Sequence, residues 1–163
     1  MALTTFDQTQ LASNIPTSKV VGTTTNDSAA AGYIGQFVEA TTTGNLNAAA
    51  SAVADDLLSI SLTAGDWDVT GLVLWQANGS TYSQFRAGIS IYSGSNETGL
   101  DSGVTLNFYS VPSTSNSLSI TLPMPMVRMS LASTTTVYLK RYAVYSSGTP
   151  RTQGGRISAR RMR

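Results

Sequence analysis

The sequence predicts an all-β protein, an antiparallel jelly-roll sandwich of about eight strands with an extended N-terminal arm. Apolar and polar residues alternate along one short run after another, and clusters of glycine, proline, asparagine and serine separate the runs. Small hydroxyl residues are abundant, with 22 serines and 22 threonines among 163 residues, whereas only 12% of the residues are charged. This composition favours strands with a neutral, hydroxylated exterior.

The alternation is clearest in the middle of the chain. Leu58, Ile60 and Leu62 alternate with small hydroxyl residues, as expected for a strand with one buried face. We predict strands at 33–42, 57–63, 66–77, 83–93, 104–111, 117–122, 126–131 and 135–146, with a possible ninth at 155–162. Eight antiparallel strands is the number expected for a jelly roll.

The residues between the runs predict turns. Asn78-Gly79 can supply the positive φ of a tight hairpin. The stretch 45–56 is the only helix-friendly piece, and we predict a loop there with at most one helical turn. Prolines lack a backbone N–H, so we expect these four at strand ends or turns: Pro112, Pro123, Pro125 and Pro150.

The beginning of the chain differs from the rest. Residues 1–31 are rich in threonine, serine, asparagine and alanine and lack alternation. They predict an extended attachment arm, followed by a jelly-roll domain at 32–163.

Two predicted strands are apolar on both faces. Leu72 and Leu74 add to the otherwise polar face of the strand at 66–77, and Tyr138 and Tyr142 lie opposite the apolar face of the strand at 135–146. A strand that is apolar on both faces is covered on both faces. Either another subunit covers them, or the arm or a long loop does. Aromatic enrichment at interfaces favours the subunit, so these four are candidate interface residues.

The charges are unevenly distributed along the chain. All nine acidic residues lie at or before Asp101, which gives the first 101 residues a net charge of about −7 against two bases. The last 62 residues carry eight bases and no acid, so about +8. The two halves can therefore neutralise each other, within one chain or between neighbouring chains. The net charge of +1 argues against a nucleic-acid partner.

The basic C-terminus, GRISARRMR, alternates as a strand does. Ile157 and Ala159 fall on one side, and Arg156, Ser158 and Arg160 fall on the other. We predict a terminal strand rather than a solvated tail or a nucleic-acid arm. Its arginines, which pair well with carboxylates, are expected to meet Asp66, Asp68 or acids of a neighbouring chain. Arg160 therefore joins the candidate interface residues.

Several kinds of chemistry have no support in the sequence. Cysteine and histidine are absent, which removes disulfides, the usual zinc, copper and haem ligands, and a Ser-His nucleophile pair. The neighbouring carboxylates Asp55-Asp56 and Asp66/Asp68 could suggest glycoside hydrolysis or calcium binding, but turns and a shared strand face explain them. We expect no catalytic residue, cofactor or metal. No secretion signal and no membrane span are expected either.

Two segments resemble strands of small trimeric jelly rolls of the tumour-necrosis-factor type: LTAGDWDVTGLVLWQ and LASTTTVYLKRYAVY. The order of four pieces is similar to that in a family of small phage and prophage virion proteins: GYIGQFVEA, ISLTAGDWDVTGLV, MSLASTTTVYLKRYAVY and GRISARRMR. The similarity covers residues 32–163 and leaves 1–31 uncovered. It implies a homotrimeric β-structure on a phage particle and brings no catalytic residues with it.

The resulting hypothesis is a homotrimeric decoration or cement protein on the phage head. The arm would contact the major capsid protein or another virion protein. The alternative is the knob of a head or tail fibre, with the arm as its attachment and the loop tips as the host-contact surface. The short chain, without a shaft or repeats, favours decoration.

Overall fold

The computed structural model describes residues 28–95, 107–109 and 118–163. Strands dominate these ranges, and none of their residues lies in a helix. The eight strands are β1 (Phe37–Asn47), β2 (Val53–Leu62), β3 (Gly65–Gln76), β4 (Thr81–Ser90), β5 (Asn107–Tyr109), β6 (Ser119–Leu131), β7 (Thr135–Ser147) and β8 (Arg151–Arg161). The predicted all-β class is confirmed.

The strands form two antiparallel four-stranded sheets. Sheet A has the order β1-β8-β3-β6, and sheet B has the order β2-β7-β4-β5. The pairs β1–β8, β2–β7, β3–β6 and β4–β5 together make one long antiparallel ribbon. The ribbon rolls up so that β8 meets β3 and β7 meets β4. This arrangement is a jelly roll, as the sequence predicted.

The core lies between the sheets and is built on the inner face of β3. Trp67, Val69, Val73 and Trp75, which the alternation placed on one face, are all fully buried. The Trp75 ring stacks on Phe85 from sheet B, with 4.7 Å between the ring centroids. Burying one such side chain stabilises the fold by about 1.5–3 kcal/mol. Burial of this face fixes the other face of β3 as the outer surface of sheet A.

The basic C-terminus forms β8, a central strand of sheet A. It pairs with β1 on one side and with β3 on the other. Ile157 and Ala159 are buried in the core, whereas Arg156 and Arg160 are exposed on the outer face. The predicted terminal strand is confirmed. It begins at Arg151, earlier than expected, because both neighbouring strands extend that far.

Two predictions about strand breaks are wrong. The runs at 117–122 and 126–131 form the single strand β6, with Pro123 and Pro125 inside it. Because β6 is an edge strand of sheet A, a proline there need not interrupt the ladder. The stretch 45–56 has no helical turn, since its ends belong to β1 and β2 and only a short turn separates them.

The predicted backbone conformation of the Asn78-Gly79 turn is confirmed, with φ of 50° and 76°. The turn is not a hairpin, however, because β3 and β4 lie in different sheets. The first strand starts at Phe37 rather than at residue 33, and turns occupy the residues before it. The predicted arm at 1–31 falls outside the described residues except for 28–31. Of the strand predicted at 104–111, only 107–109 is described.

Candidate interaction surface

Within the described residues, four acids of the first half of the chain meet bases of the second half: Glu39, Asp55, Asp56 and Asp66. The ribbon pairs β1, β2 and β3 with β8, β7 and β6, so Asp55 lies directly opposite Arg141 and Asp56 opposite Lys140. The ion pairs are Arg128–Asp66 at 2.8 Å, Lys140–Asp56 at 2.6 Å, Arg141–Asp55 at 2.7 Å, Arg156–Glu39 at 2.6 Å, and Arg163–Asp66. For these four acids, strand pairing brings charges from the two halves of the sequence together.

Arg141 is buried and points between the sheets. Its Nε and Nη2 donate to the Asp55 carboxylate at 3.0 and 2.7 Å. Nη1 donates to the Leu46 carbonyl at 2.8 Å and to Thr152 Oγ1 at 2.7 Å, and Nη2 donates to the Asn47 carbonyl at 2.7 Å. One guanidinium thus joins four strands, β1, β2, β7 and β8. A charge buried among this many partners is a structural element.

Sequence reasoning missed this arginine, although a signal existed. Strict alternation along β7 places Arg141 on the inner face, between Leu139 and Ala143, which are both buried. Tyr138 and Tyr142 lie on the opposite face of the same strand. An arginine at an inward position predicts a buried carboxylate partner, because an unpaired interior charge is unfavourable.

Lys140 is fully buried on the outer side of sheet B. Its Nζ donates to Asp56 Oδ1 at 2.6 Å and to the Gly94 carbonyl at 2.8 Å. The Gly94 N–H in turn donates to Asp56 Oδ2 at 2.7 Å. These bonds hold the turn after β4 against β2 and β7. The chain itself therefore covers this part of the outer face of sheet B.

Ion pairs hold three of the four neighbouring carboxylates, Asp55, Asp56 and Asp66. Asp55 and Asp56 project to opposite sides of β2 and hold Arg141 and Lys140. Asp66 accepts hydrogen bonds from Ser130 and Arg128, which lower its pKa from 3.8 to about 2. A general acid at neutral pH needs a raised pKa instead. Within the described ranges, no group of three metal-ligating side chains comes together.

The outer face of sheet A is open and has a shallow groove. A row of residues crosses all four strands there: Phe37, Arg160, Asp68 and Arg128. Part of this row lines a depression of about 300 Å³, whose lining also includes Thr70, Met126, Arg156 and Ser158. Apolar walls, hydroxyls and arginines together suit a protein contact. No helix in the described part of the chain is long and apolar enough to cross a membrane.

The five candidate interface residues lie on two opposite faces. Leu72, Leu74 and Arg160 are on the outer face of sheet A, where both leucines are half-buried and Arg160 is exposed. Tyr138 and Tyr142 are on the outer face of sheet B, where Tyr142 packs against Ala54 and Val144 of its own chain. A head-to-tail ring requires two different patches on each subunit. The assignment to a subunit interface stays a prediction.

Five exposed apolar side chains lie on sheet A or in the turn before it. We call them the apolar rim: Tyr33, Ile34, Phe37, Met126 and Met162. The Gly35 N–H donates to the Arg161 carbonyl at 2.9 Å, which holds the turn before β1 beside the end of β8, and Phe37 on β1 and Met126 on the opposite edge strand β6 both line the groove. Sequence reasoning missed this patch because it counted residues 33–36 as part of a strand.

No protein-family model and no curated protein matches the chain. Among solved structures, the chain is similar to the VP2 subviral particle of infectious bursal disease virus, with 12% identity, a TM-score of 0.49, and coverage of 77% of this chain and 33% of that one. The structure of the Gx strain of the same virus matches with 12% identity, a TM-score of 0.42, and coverage of 77% and 32%. The chain thus spans about a third of the length of these viral chains. At such scores, the likeness carries no functional argument.

Proposed function

We propose that the chain is a structural protein of a phage particle, a homotrimeric jelly roll that decorates and cements the head. The observation that carries the proposal is the apolar rim. Tyr33 and Ile34 are 68% and 72% exposed, and Phe37 and Met126 line the groove together with hydroxyl and charged side chains. Single exposed apolar residues are ordinary, but several beside a groove favour an interaction site.

The position of the rim supports attachment to another protein of the particle. Its Phe37 donates a backbone N–H to Ser28, where residues 1–27 join the described fold, so arm and rim can bind one partner together. The proposed partner is the major capsid protein or another virion protein. Burying the rim and ordering the arm would raise the free energy needed to separate capsid subunits when the packaged genome presses outward. The resemblance over residues 32–163 to small phage virion proteins supports the same role.

A particle-binding experiment tests this function. A chain lacking residues 2–19 is expected to fold normally and to wash off purified particles that retain the full chain. Replacing Ile34 with Asp should weaken retention as well, because the rim would have to bury a charge. The matched control is Ser133→Asp in the exposed β6–β7 turn, which should leave binding unchanged. Full retention of both altered chains would contradict the proposal.

The copy number on the particle separates decoration from the alternative, a fibre knob. Decoration requires hundreds of copies per head, whereas a fibre requires few. Quantitative gel analysis of purified particles measures this number directly. A low copy number, together with location on a fibre in electron micrographs, would favour the knob.

The proposed trimer is head-to-tail. The face with Leu72 and Leu74 on one subunit would contact the face with Tyr138 on the next, and three such contacts close a ring. Sedimentation should then give three copies of the 17.1 kDa chain. Leu72→Asp or Leu74→Asp should shift the protein to monomers, because each buries an unpaired charge at the contact. A monomeric unaltered chain at micromolar concentration would contradict the trimer.

A further inference from the structure

The turn after β4 presents two exposed apolar side chains. Ile91 and Tyr92 follow the strand directly and are 46% and 49% exposed. The turn itself is held in place, because the Gly94 N–H donates to Asp56 at 2.7 Å and Lys140 donates to the Gly94 carbonyl at 2.8 Å. A side chain on a turn that is already fixed loses less conformational freedom on binding than one on a loose loop. Tyr92 is therefore well placed to be a contact residue.

The groove on the outer face of sheet A can accept such a side chain. Its depression of about 300 Å³ has room for one aromatic ring. Phe37 and Met126, which line it, are both exposed and offer apolar contacts. Asp68 and Ser158 also line it, and their oxygens can hydrogen-bond a phenol hydroxyl. Tyrosine combines an apolar ring with one polar atom, and this lining offers partners for both.

We propose that Tyr92 of one copy of the chain inserts into this groove on the next copy. The inference rests on the proposed head-to-tail trimer and names a contact within it. Ser90 pairs with Tyr138, so the turn with Tyr92 begins beside a residue already assigned to the contact face of sheet B. Tyr33 and Ile34 are not among the residues that line the groove, so they stay available to another protein of the particle.

The groove and the Tyr92 turn lie at the same end of the sandwich. β3 and β4 are consecutive strands in different sheets, and only residues 77–80 connect them. The start of β3 therefore lies at the end of the molecule where β4 finishes. Asp68 is in the first half of β3, and Tyr92 comes just after β4. Because the two patches lie at the same level on opposite faces, successive copies can join without a rise, which favours a closed ring over a filament.

Sedimentation of altered full-length chains tests the contact. Tyr92→Asp should convert trimers to monomers, because a carboxylate would have to enter the groove. Thr70→Trp should do the same from the other side, since Thr70 is exposed and lines the depression that the new ring would fill. Tyr33→Asp is the matched control, an equally drastic change at an exposed tyrosine outside the groove, and it should leave the trimer intact. Circular dichroism checks that each chain is folded.

Mixing the two altered chains tests whether these two patches meet each other. The Tyr92→Asp chain keeps an intact groove, and the Thr70→Trp chain keeps an intact Tyr92. A head-to-tail contact between the patches predicts that an equal mixture forms dimers, although each chain alone is monomeric, because one copy of each can make a single contact. The measurement is made well above the concentration at which the unaltered ring forms.

The possible failures can be told apart. Trimers of the Tyr92→Asp chain would overturn this contact and leave the proposed trimer standing. A mixture that stays monomeric would show that the two patches do not meet, and dissociation of the Tyr33→Asp chain would place the contact at the apolar rim instead. Monomers of the unaltered chain would overturn the trimer and this contact together, whereas retention of the chain on particles would still support the virion role.

Discussion

Arg141 and Arg156 hold their carboxylates at nearly the same distance, 2.7 and 2.6 Å, in opposite surroundings. The side chain of Arg141 is 7% exposed and lies between the sheets, whereas that of Arg156 is 49% exposed on the outer face of sheet A. Arg141 also donates to two backbone carbonyls and a threonine hydroxyl. Water can reach the guanidinium of Arg156, whereas the guanidinium of Arg141 is almost fully shielded from water. Distance alone therefore does not indicate how much an ion pair stabilises the fold.

The largest expected effect comes from an interior charge that has no partner at all. Ile157→Asp would place a carboxylate in the core at a position that is fully buried in the central strand of sheet A. We expect a loss of more than about 4 kcal/mol in the free energy of unfolding, enough to unfold much of the protein. Chemical denaturation followed by circular dichroism measures it.

The control for Ile157→Asp is Arg160→Gln on the same strand, because Arg160 is exposed. It should change the free energy of unfolding by no more than about 0.5 kcal/mol. Truncation after Gly154 should be as damaging as Ile157→Asp, since it removes most of β8 and exposes the edges of β1 and β3. A truncated chain with an unchanged melting temperature would contradict the central position of β8.

Replacing each arginine with methionine tests whether the buried Arg141 stabilises the fold more than the exposed Arg156 does. Arg141→Met should cost about 3 kcal/mol, because it removes the donor of the buried Thr152 hydroxyl and of two part-buried carbonyls, while Asp55 can still be partly hydrated. Arg156→Met should cost no more than about 1 kcal/mol, as is usual for an exposed pair with Glu39. Equal losses in denaturation experiments would show that burial does not separate the two pairs.

A smaller, pH-dependent effect on the melting temperature is expected when Asp66 is replaced. Hydrogen bonds from Ser130 and Arg128 lower the pKa of this carboxyl from 3.8 to about 2 in the folded chain. A depressed pKa stabilises the fold above the ordinary pKa, and the contribution is lost as the pH falls through the folded value. Asp66→Asn should therefore lower the melting temperature at neutral pH, and the difference should shrink as the pH falls from 3.8 to below about 2. A difference that persists there would contradict the assignment.

The smallest expected signal is the affinity of the chain for DNA. The arginines of β8 belong to a paired strand, and Arg156 and Arg163 are held by carboxylates. Near physiological salt we expect little or no affinity for duplex DNA. A flexible arm of four to five arginines would give a log–log salt slope of roughly −4. A slope of that size in binding titrations would mean that the tail leaves the sheet.

Much of the fold could be predicted because alternation is a local property. Period-2 patterns identified the buried face of β3 and the inward side of β8, and each pattern needs only neighbouring residues. The continuity of β6 through Pro123 and Pro125 could not be predicted in the same way. Proline is excluded from a central strand but tolerated at an edge, and only the strand order shows which strands are edges.

For the candidate interface and the ion pairs, too, the sequence predicted part of the arrangement and the fold decided the rest. The sequence by itself determined that Leu72 and Leu74 share the outer side of β3 and that Tyr138 and Tyr142 share one side of β7. It also determined that the acids and bases occupy different halves of the chain. Only the tertiary structure decided that these leucines and tyrosines lie on opposite faces and that Asp55 meets Arg141 across 86 residues of sequence. The physical reason is that a strand pattern specifies which way a side chain points, whereas pairing between distant strands specifies what it meets.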